Sequence, residues 1–470
     1  MEDNKTKESK YSFEEFDEEI LREYDIRGII NQNLSVNTAY SLGLKFGTLI
    51  KSQNNINKIV IGYDGRLTSP SLHEALTAGL VQNGLEVIII GLCPTPMLYF
   101  SVYHLNVDAG IMITGSHNPP EYNGFKIVLN KKPFYSSNIQ NLKNIVFKDN
   151  YTKGLKKNIN ILDQYTKRLL QDISIEKKLK VAWDAGNGSV GVTINNVIKR
   201  LKNTENILIN DVVDGTFPNH HPDPTIPKNL KQLRDVVKKN KCDLGLAFDG
   251  DGDRLGIIDN KDNIIWADQY MIILAEEIAE LYDNPSIIMD VKSSKVFFDE
   301  VKKIGCNPIM YKTGHSVIKD KMEELNSPLS GEMSGHIMYK DNFFGYDDAM
   351  YVALRLLQII SKKEIPLSEI ISKYPKTYST PETRIKVIES RKFKIVEEII
   401  ERLSKENLKV ISIDGVRVEN NEGWWGIRAS NTENALTVRA EALSEESLKK
   451  MKKNIESQLK LSNVNFNFAI

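Results

Sequence analysis

From Lys58 onward, short apolar segments alternate with amphipathic helical patterns, and this alternation limits the possible folds most. The first cycle has the segment KIVIGYD, a helical pattern from Ser69 to Asn83, and then LEVIIIGL. Ser69 before Pro70 is typical of a helix N-cap, and Asn83-Gly84 is typical of a helix end. The pattern predicts a βαβ unit with parallel strands.

The same pattern recurs, and each cycle ends a strand in a polar loop that contains glycine. AGIMI runs into TGSHNPPEYNGFK, and DLGLAF runs into DGDGDR. PIMYKTGHS and the loop GEMSGH follow later in the chain. Because open α/β sheets bind ligands at the carboxyl ends of their strands, these loops are the candidate binding loops.

The chain has 470 residues, and a single hydrophobic core stops growing at about 250 to 300 residues. Its last part has several strands and few helices, which predicts an antiparallel sheet with the polar insert RASNTEN between two strands. We therefore expect three successive α/β mixed-sheet domains and a C-terminal α+β domain. The expected limits are residues 1–161, 162–263, 264–375 and 376–470.

Composition argues against polymeric partners. Lys plus Arg and Asp plus Glu both number 62, so no overall field attracts nucleic acid or an anionic membrane. The 3 cysteines show neither disulfide nor zinc-ligand spacing. The N-terminus lacks an apolar signal region, and no apolar run is long enough to span a bilayer. We expect a cytoplasmic, monomeric protein that acts on small molecules.

The sequence DGDGDR carries the strongest metal signal, because Asp249, Asp251 and Asp253 alternate with glycines that allow the carboxylates to converge. Mg²⁺ and Ca²⁺ prefer such oxygen ligands. An ordinary Asp-Gly turn does not explain three carboxylates held together at a strand end. An EF-hand is excluded, because Arg254 replaces the glycine at its sixth position and Asn260 the glutamate at its twelfth. The pattern favours Mg²⁺ with an open position for a phosphate oxygen.

The loop TGSHNP places Ser116 and His117 directly after a buried strand, and Lys126 follows in the sequence NGFK. A serine in such a loop can be a nucleophile or a phosphate carrier. Taken alone, the pattern is more typical of a polar turn. The chain has no GxSxG, Walker A or GxGxxG motif that would indicate a serine hydrolase, a P-loop NTPase or a dinucleotide enzyme.

The loops TGSHNP, DGDGDR, GEMSGH and RASNTEN stand in the order, and at about the separations, of the α-D-phosphohexomutase superfamily. The chain resembles this superfamily over nearly its whole length, and most closely its bacterial phosphomannomutase/phosphoglucomutase members. The resemblance implies four domains around a central active-site cleft, with one loop contributed by each domain. It also implies that Ser116 carries a phosphate and completes a Mg²⁺ site with Asp249, Asp251 and Asp253.

The resemblance assigns further roles. Glu332 and Ser334 would bind sugar hydroxyls, and Arg254 would approach the phosphoserine or the substrate. The residues expected to bind the substrate or its phosphate are Tyr24, Arg27, Lys292, Gly314, Glu332, Ser334, Arg428, Ser430, Asn431 and Thr432. The candidates for proton transfer are Lys126, His117, His315 and His336, and the sequence does not choose among them.

The resemblance implies a mutase that interconverts hexose 1-phosphates and 6-phosphates through a hexose 1,6-bisphosphate, which also serves as activator. The sequences DGDGDR and GEMSGH favour mannose and glucose over glucosamine, for which the superfamily typically has DGDADR and GEQSGH. A phosphoglucosamine mutase is the first alternative. A metal-dependent phosphatase and a non-catalytic homologue are more remote ones.

Overall fold

A computed structural model describes residues 10–54, 56–147, 152–430 and 434–468. The described residues form two compact units. The first unit lies within Met1–Ile264, Gly335–Ile337 and Tyr346–Lys362, and the second within Ile265–Ser334, Met338–Gly345 and Lys363–Ile470. No helix in these described ranges has the length and apolar character needed to cross a membrane.

The first unit begins with a mixed sheet. Its strands are β1 (Ile26–Ile29), β2 (Lys58–Tyr63), β3 (Glu86–Leu92), β4 (Ala109–Ile113), β5 (Tyr122–Leu129), β6 (Lys132–Phe134) and β7 (Leu155–Asn158). Its helices are α1 (Val36–Asn54), α2 (Ser69–Gln82), α3 (Thr95–His104) and α4 (Ser137–Asn141), with 3₁₀ turns at Glu18–Ile20 and Leu142–Asn144. The strand order is β1-β5-β4-β2-β3-β7, and β6 pairs with β5.

Strands β4, β2, β3 and β7 run parallel to one another, whereas β5 is antiparallel to β4 and β1. Every residue of β4 is buried, as its continuous apolar sequence predicts for a strand covered on both faces. Met112 of β4 pairs with Lys126 of β5. This register holds Lys126 near the end of β4, where the chain enters the loop that contains Ser116.

A second sheet follows the first along the chain. Its elements are α5 (Leu162–Leu170), β8 (Leu179–Asp184), α6 (Gly191–Ile198), β9 (Thr204–Ile209), a 3₁₀ turn at Pro227–Leu230, α7 (Lys231–Asn240), β10 (Leu244–Phe248), β11 (Leu255–Asp259) and β12 (Ile264–Ile265). The order is β12-β11-β10-β8-β9. Strand β10 is parallel to β8 and antiparallel to β11, so DGDGDR forms the turn between two core strands.

The third sheet lies mostly in the second unit. The stretch of chain that forms this sheet contains α8 (Ala267–Leu281), β13 (Ser286–Asp290), α9 (Lys295–Lys303), β14 (Asn307–Tyr311), α10 (His315–Leu325), β15 (Leu329–Gly331), β16 (Ile337–Tyr339), α11 (Ala349–Lys362) and α12 (Leu367–Ile371). The order is β14-β13-β15-β16. Helix α11 belongs to the first unit.

The C-terminal sheet is antiparallel. Its elements are β17 (Tyr378–Ser379), β18 (Thr383–Lys386), α13 (Glu389–Leu403), β19 (Lys409–Ile411), β20 (Val416–Glu419), β21 (Gly423–Ala429), β22 (Ala435–Ala442) and α14 (Glu445–Leu461). The order is β17-β22-β21-β20-β19, with β18 on β22. Helix α14 buries Met451, Ile455 and Leu459 in the same core as this sheet, because residues four apart share one helix face.

Helices α1 and α2 pack closely against each other through glycines. Gly43 of α1 and Gly79 of α2 lie where the two helices meet. A Cβ on Gly43 would lie 2.5 Å from the carbonyl oxygen of Leu76, and one on Gly79 would collide with that of Tyr40. Glycine at both positions therefore allows the two backbones to approach closely.

The predicted class is confirmed: mixed α/β sheets precede an antiparallel C-terminal part. The domain limits stay a prediction. One local prediction was wrong, because helix α2 begins at Ser69 and is preceded by Thr68. The Ser69 hydroxyl does not cap the helix but donates to Asp64 at 2.6 Å.

Candidate active site

Ser116 lies in the loop after β4 and is 3% exposed. Its backbone φ is +47°, in the left-handed region that non-glycine residues rarely adopt. Its Oγ donates to Asp249 Oδ2 at 3.1 Å and lies 3.1 Å from His117 Nδ1. The conformation is strained, so neighbouring groups must hold it in place.

Arg66 provides that support. Its side chain is buried, and its two terminal nitrogens donate to four backbone carbonyls of the loop. Nη1 reaches the carbonyls of Pro119 at 2.5 Å and Tyr122 at 2.9 Å. Nη2 reaches those of Ser116 at 2.8 Å and Asn118 at 2.6 Å. A planar guanidinium is suited to this task because its donors are fixed in one fork.

Asp64 also holds the serine loop in place. It pairs with Arg66 Nε at 3.3 Å and accepts hydrogen bonds from the Gly115 N–H at 3.0 Å and the Thr114 hydroxyl at 2.8 Å. A side chain on Gly115 would collide with the Arg66 guanidinium. Burial lowers the pKa of Arg66, and the charge of Asp64 acts against that shift.

The acidic loop after β10 is fully buried at Asp249, Asp251 and Asp253. Their carboxylate oxygens lie within 4.8 Å of one another. Asp249 Oδ1 accepts the backbone N–H groups of Gly252 at 3.0 Å, Asp253 at 3.1 Å and Arg254 at 3.2 Å. These bonds fix the turn so that the other carboxylate oxygens converge.

The electrostatics of this loop are those of crowded like charges beside one cation. Burial raises the pKa of Asp249 well above its usual range, and the charges of Asp253 and Asp251 add to the rise. Lys126 Nζ contacts Asp251 at 2.7 Å and also pairs with Asp253. Burial alone would lower the pKa of Lys126, but these carboxylates outweigh it and raise the pKa.

The donor set fits a hard divalent cation. Oδ1 of Asp251 and Oδ1 of Asp253 are buried and have no hydrogen-bond partner among the described residues. Unpaired buried carboxylate oxygens are costly unless a cation accepts them. With the Ser116 hydroxyl beside Asp249, the three aspartates offer an all-oxygen site.

His336 and Arg254 meet next to the acidic loop. Arg254 Nε donates to His336 Nε2 at 2.9 Å. His336 Nδ1 lies 2.9 Å from Asp347 and 3.4 Å from Asp253. The imidazole therefore accepts from the arginine and presents its Nδ1 to the carboxylates.

Three more predicted residues lie in the first unit. Burial lowers the pKa of His117 well below its usual range, and the charges of Arg254 and Arg27 add to the shift. Arg27 Nη1 donates to the Asn118 side chain at 3.0 Å. Tyr24 lies in the bend before β1 and is half-buried.

The second unit brings together another set of predicted residues. Gly314 donates its N–H to Glu332 Oε1 at 2.6 Å, and His315 begins helix α10. Lys292 pairs with Glu382 at 2.8 Å, and Arg428 pairs with Asp414 at 3.1 Å.

The remaining predicted residues of this unit are Ser334, Ser430, Asn431 and Thr432. Ser334 and Ser430 lie in the loops after β15 and β21. Ser430 is 7% exposed. Asn431 and Thr432 lie outside the described residues.

Models of the four domains of one family match the chain in succession. Phosphoglucomutase/phosphomannomutase alpha/beta/alpha domains I, II and III match residues 18–153, 149–262 and 266–378, and the C-terminal domain of the same family matches residues 382–458. The chain belongs to the phosphoglucomutase/phosphomannomutase family.

Known members of the family resemble the whole chain. A phosphomannomutase/phosphoglucomutase of Pseudomonas aeruginosa is 41% identical over 443 residues, which cover 94% of this chain and 95% of that one. A phosphoglucomutase of Neisseria meningitidis is 39% identical over 430 residues, covering 90% and 93%. A crystal structure of a family protein from Burkholderia thailandensis has a TM-score of 0.89 and 36% identity, and covers 96% of this chain and 100% of its own.

Family membership confirms the resemblance read from the four loops, and it makes this chain a phosphohexomutase, an isomerase of carbohydrate metabolism. The individual site residues stay predictions.

The sequence analysis missed Arg66, Asp64, Asp347, Glu382 and Asp414. For Arg66 and Asp64 a signal was present, because Asp-Gly-Arg directly follows β2 at the sheet edge where β4 also ends.

Proposed function

We propose that this phosphohexomutase interconverts the 1-phosphates and 6-phosphates of mannose and glucose, and that phospho-Ser116 carries the transferred phosphoryl group. The observation that supports it most is the Ser116 Oγ, which lies 3.1 Å from Asp249 in a buried acidic cluster. The backbone of this serine is held in a left-handed conformation by Arg66. A turn that served only structure would need neither feature.

The proposed reaction has two phosphoryl transfers. In the first, the bond between phosphorus and Ser116 Oγ breaks, a bond from phosphorus to the free sugar hydroxyl forms, and that hydroxyl loses its proton to a base. The product is a hexose 1,6-bisphosphate. After the bisphosphate turns, the bond between its other phosphorus and the sugar breaks and that phosphorus bonds to Ser116 Oγ. The sugar oxygen that is freed takes the proton held by the base. A bisphosphate that escapes leaves Ser116 unphosphorylated, so added hexose 1,6-bisphosphate restores activity.

We propose Mg²⁺ as the cation that Asp249, Asp251, Asp253 and the oxygen on Ser116 would hold. When bound, it would neutralise charge on the transferring phosphoryl group. The chain contributes the buried carboxylates and Lys126, which pairs with Asp251 and Asp253. Arg254, the last residue of DGDGDR, donates to His336 and supplies a second cation in this loop.

The proton of the sugar hydroxyl goes to an imidazole in this proposal. Lys126 is disfavoured as a base because its amino group donates to two carboxylates and stays protonated. His117 and His336 are the candidates within the first unit. His117 adjoins Ser116 Oγ, and its lowered pKa favours the neutral imidazole that a base requires. His336 lies 2.9 Å from Asp347.

Sugar and phosphate recognition are proposed for the second unit. Glu332 is held by the Gly314 N–H, and we propose that it and Ser334 bind sugar hydroxyls, with His315 beside them. Lys292, Arg428 and Ser430, with Asn431 and Thr432, would bind the phosphate that is not transferred. Tyr24 and Arg27 of the first unit would contact the substrate as well.

The choice of mannose and glucose rests on sequence. The relatives from Pseudomonas aeruginosa and Neisseria meningitidis carry the names phosphomannomutase/phosphoglucomutase and phosphoglucomutase. The loops GEMSGH and DGDGDR differ from those typical of phosphoglucosamine mutases. Because mannose and glucose differ at one hydroxyl, a loop that binds other hydroxyls accepts both.

A coupled assay with Ser116→Ala tests this proposal. Glucose 1,6-bisphosphate is added as activator to each assay. The wild-type protein should convert mannose 1-phosphate and glucose 1-phosphate faster than glucosamine 1-phosphate. Ser116→Ala should lose roughly three orders of magnitude or more in kcat, because it lacks the phosphate carrier. Ser101→Ala, which removes a buried hydroxyl from α3, should keep wild-type activity.

Three outcomes would contradict the proposal. Full turnover by Ser116→Ala would exclude the phosphoserine. Release of free phosphate without isomerisation would indicate a phosphatase, and the absence of any reaction by the wild-type protein would indicate a non-catalytic homologue. Faster conversion of glucosamine 1-phosphate would favour the alternative sugar.

The cellular setting is also a proposal. All three cysteines lie in the described part of the chain, and each is buried with a free thiol, which suits the reducing cytoplasm. We propose a monomer that acts on soluble sugar phosphates. Light scattering after size-exclusion chromatography should give a mass close to 53.4 kDa.

A further inference from the structure

One pocket of the second unit is lined by charged side chains. They are the cations Lys292, Arg417, Arg428 and Arg439 and the carboxylates Glu382 and Asp414. Lys292 and Arg428 are the cations assigned above to a substrate phosphate, and each is paired with one of these two carboxylates. A cation that already has an anionic partner is a poor starting point for binding a phosphate dianion.

The pair of Lys292 and Glu382 is the closer of the two. Lys292 Nζ lies 2.8 Å from Glu382 Oε2. The charge of Lys292 lowers the pKa of Glu382 to about 2. Glu382 therefore stays ionised at any pH at which the enzyme works, and protonation does not remove it as a competitor for Lys292.

The two carboxylates are held differently. Asp414 accepts the Thr313 N–H at 3.0 Å and the Arg428 Nε at 3.1 Å, so it is anchored and positions Arg428. Glu382 lies between β17 and β18, and its side chain is 29% exposed, against 14% for Asp414. A long, partly exposed side chain can turn into solvent at little cost.

We propose that Glu382 is an internal counter-ion that pairs with Lys292 when no anion is bound and that a substrate phosphate displaces. This inference rests on the proposed function, which assigns Lys292 to phosphate. A displaceable carboxylate makes the site selective for anions that bind Lys292 more strongly than Glu382 does. It also gives Lys292 a closer partner than Asp290, which lies 3.9 Å away, while the bisphosphate is released and turns.

Titration of inorganic phosphate into the protein by calorimetry tests the inference without requiring turnover. Glu382→Gln should bind phosphate about 5-fold more tightly than wild type, as expected for loss of a competing, partly exposed ion pair. Its KM for glucose 1-phosphate should fall by a similar factor. A role in structure alone would leave phosphate affinity unchanged or weaken it.

Three variants locate the effect. Lys292→Met should weaken phosphate binding, and adding Glu382→Gln to it should change nothing further, because the competition requires Lys292. Glu398→Gln is the matched control, since Glu398 pairs with Arg391 at 2.8 Å and its side chain is 30% exposed. It should bind phosphate as wild type does.

Wild-type affinity in a folded Glu382→Gln variant would overturn the inference, as would tightening that persists without Lys292. These results are separate from the proposed function. A wild-type protein that lacks mutase activity would contradict that function whatever the phosphate titration gives.

Discussion

The strained backbone of Ser116 depends on a side chain that stands fifty residues earlier in the chain. Arg66 donates to four carbonyls of the serine loop, and Gly115 leaves room for its guanidinium. Neither residue needs to contact a substrate to determine where Ser116 Oγ points. Arg66 is thus a positioning residue for the nucleophile.

We expect Arg66→Lys to lower kcat by about 100-fold, because a lysine cannot span four carbonyls and small misplacements of reacting groups cost about that much. The extent of Ser116 phosphorylation by glucose 1,6-bisphosphate, measured by intact mass, should fall with it. Arg355→Lys is the control, since Arg355 is a buried arginine of the same unit. It should keep phosphorylation near wild type.

The prediction for Arg66 separates positioning from general stability. If both variants lose stability equally but only Arg66→Lys loses phosphorylation, the loop is the site of action. Normal phosphorylation and kcat in Arg66→Lys would contradict the positioning role.

Single residues also show where sequence reasoning reaches its limit. Asp249, Asp251 and Asp253 were predicted as a cluster because neighbouring positions in one turn must be close in space. The contacts of Arg66 with Ser116 and of Glu382 with Lys292 were not predicted, because these residues come from distant parts of the chain. Lone charged residues are mostly solvated, and only the fold shows which ones are buried.

At the scale of elements, the strand ends were predictable and the helix starts less so. Buried apolar strands run into TGSHNP and DGDGDR as expected, because β4 and β10 have continuous apolar sequences. Helix α2 begins at Ser69 as predicted, but Ser69 does not cap it, because its hydroxyl bonds to Asp64 across the turn. Tertiary hydrogen bonds of this kind leave no local pattern.

The start of helix α11 carries a carboxylate with an unusual pKa. Asp348 is buried and accepts the Tyr351 N–H at 3.0 Å and the Tyr165 hydroxyl at 2.9 Å. Burial raises its pKa to about 7, although these two hydrogen bonds act in the opposite direction. Between the pKa of the unfolded chain, about 4, and pH 7, only the folded state holds the proton.

Asp348 should therefore destabilise the fold as pH rises from about 4 through 7, with no further loss above that window. A rise of about three pKa units corresponds to about 4 kcal/mol at most. Asp348→Asn cannot ionise, so its melting temperature should match wild type near pH 4 and exceed it at pH 8. Thermal unfolding followed by circular dichroism at both pH values measures this difference.

Asp163→Asn is the control for that helix prediction. Asp163 is an exposed residue in the first turn of α5, and hydrogen bonds from Lys167 and Arg200 lower its pKa. Its replacement should not raise the melting temperature at pH 8. Equal pH dependence in wild type and Asp348→Asn would show that Asp348 is not the titrating group.

At the scale of the whole molecule, the two compact units hold different parts of the proposed chemistry. Ser116, the three aspartates, Lys126 and Arg254 all lie in the first unit, whereas Lys292, Glu332 and Arg428 lie in the second. A ligand that binds only one unit should stabilise that unit directly. Mg²⁺ is such a ligand if the acidic loop holds it.

Hydrogen exchange measured by mass spectrometry should show this difference. At Mg²⁺ concentrations about 100 times its dissociation constant, amides of β10 and β11 that exchange through unfolding of the first unit should slow by about 100-fold relative to chelated protein. Amides of β13 in the second unit should exchange at nearly the same rate with and without Mg²⁺.

Asp251→Asn should lose the Mg²⁺ effect when compared with its own chelated state, because Mg²⁺ binding depends on the charge of a few carboxylates. Equal slowing in both units, or a full effect in Asp251→Asn, would place the cation elsewhere and remove the metal from the proposed transfer to and from Ser116.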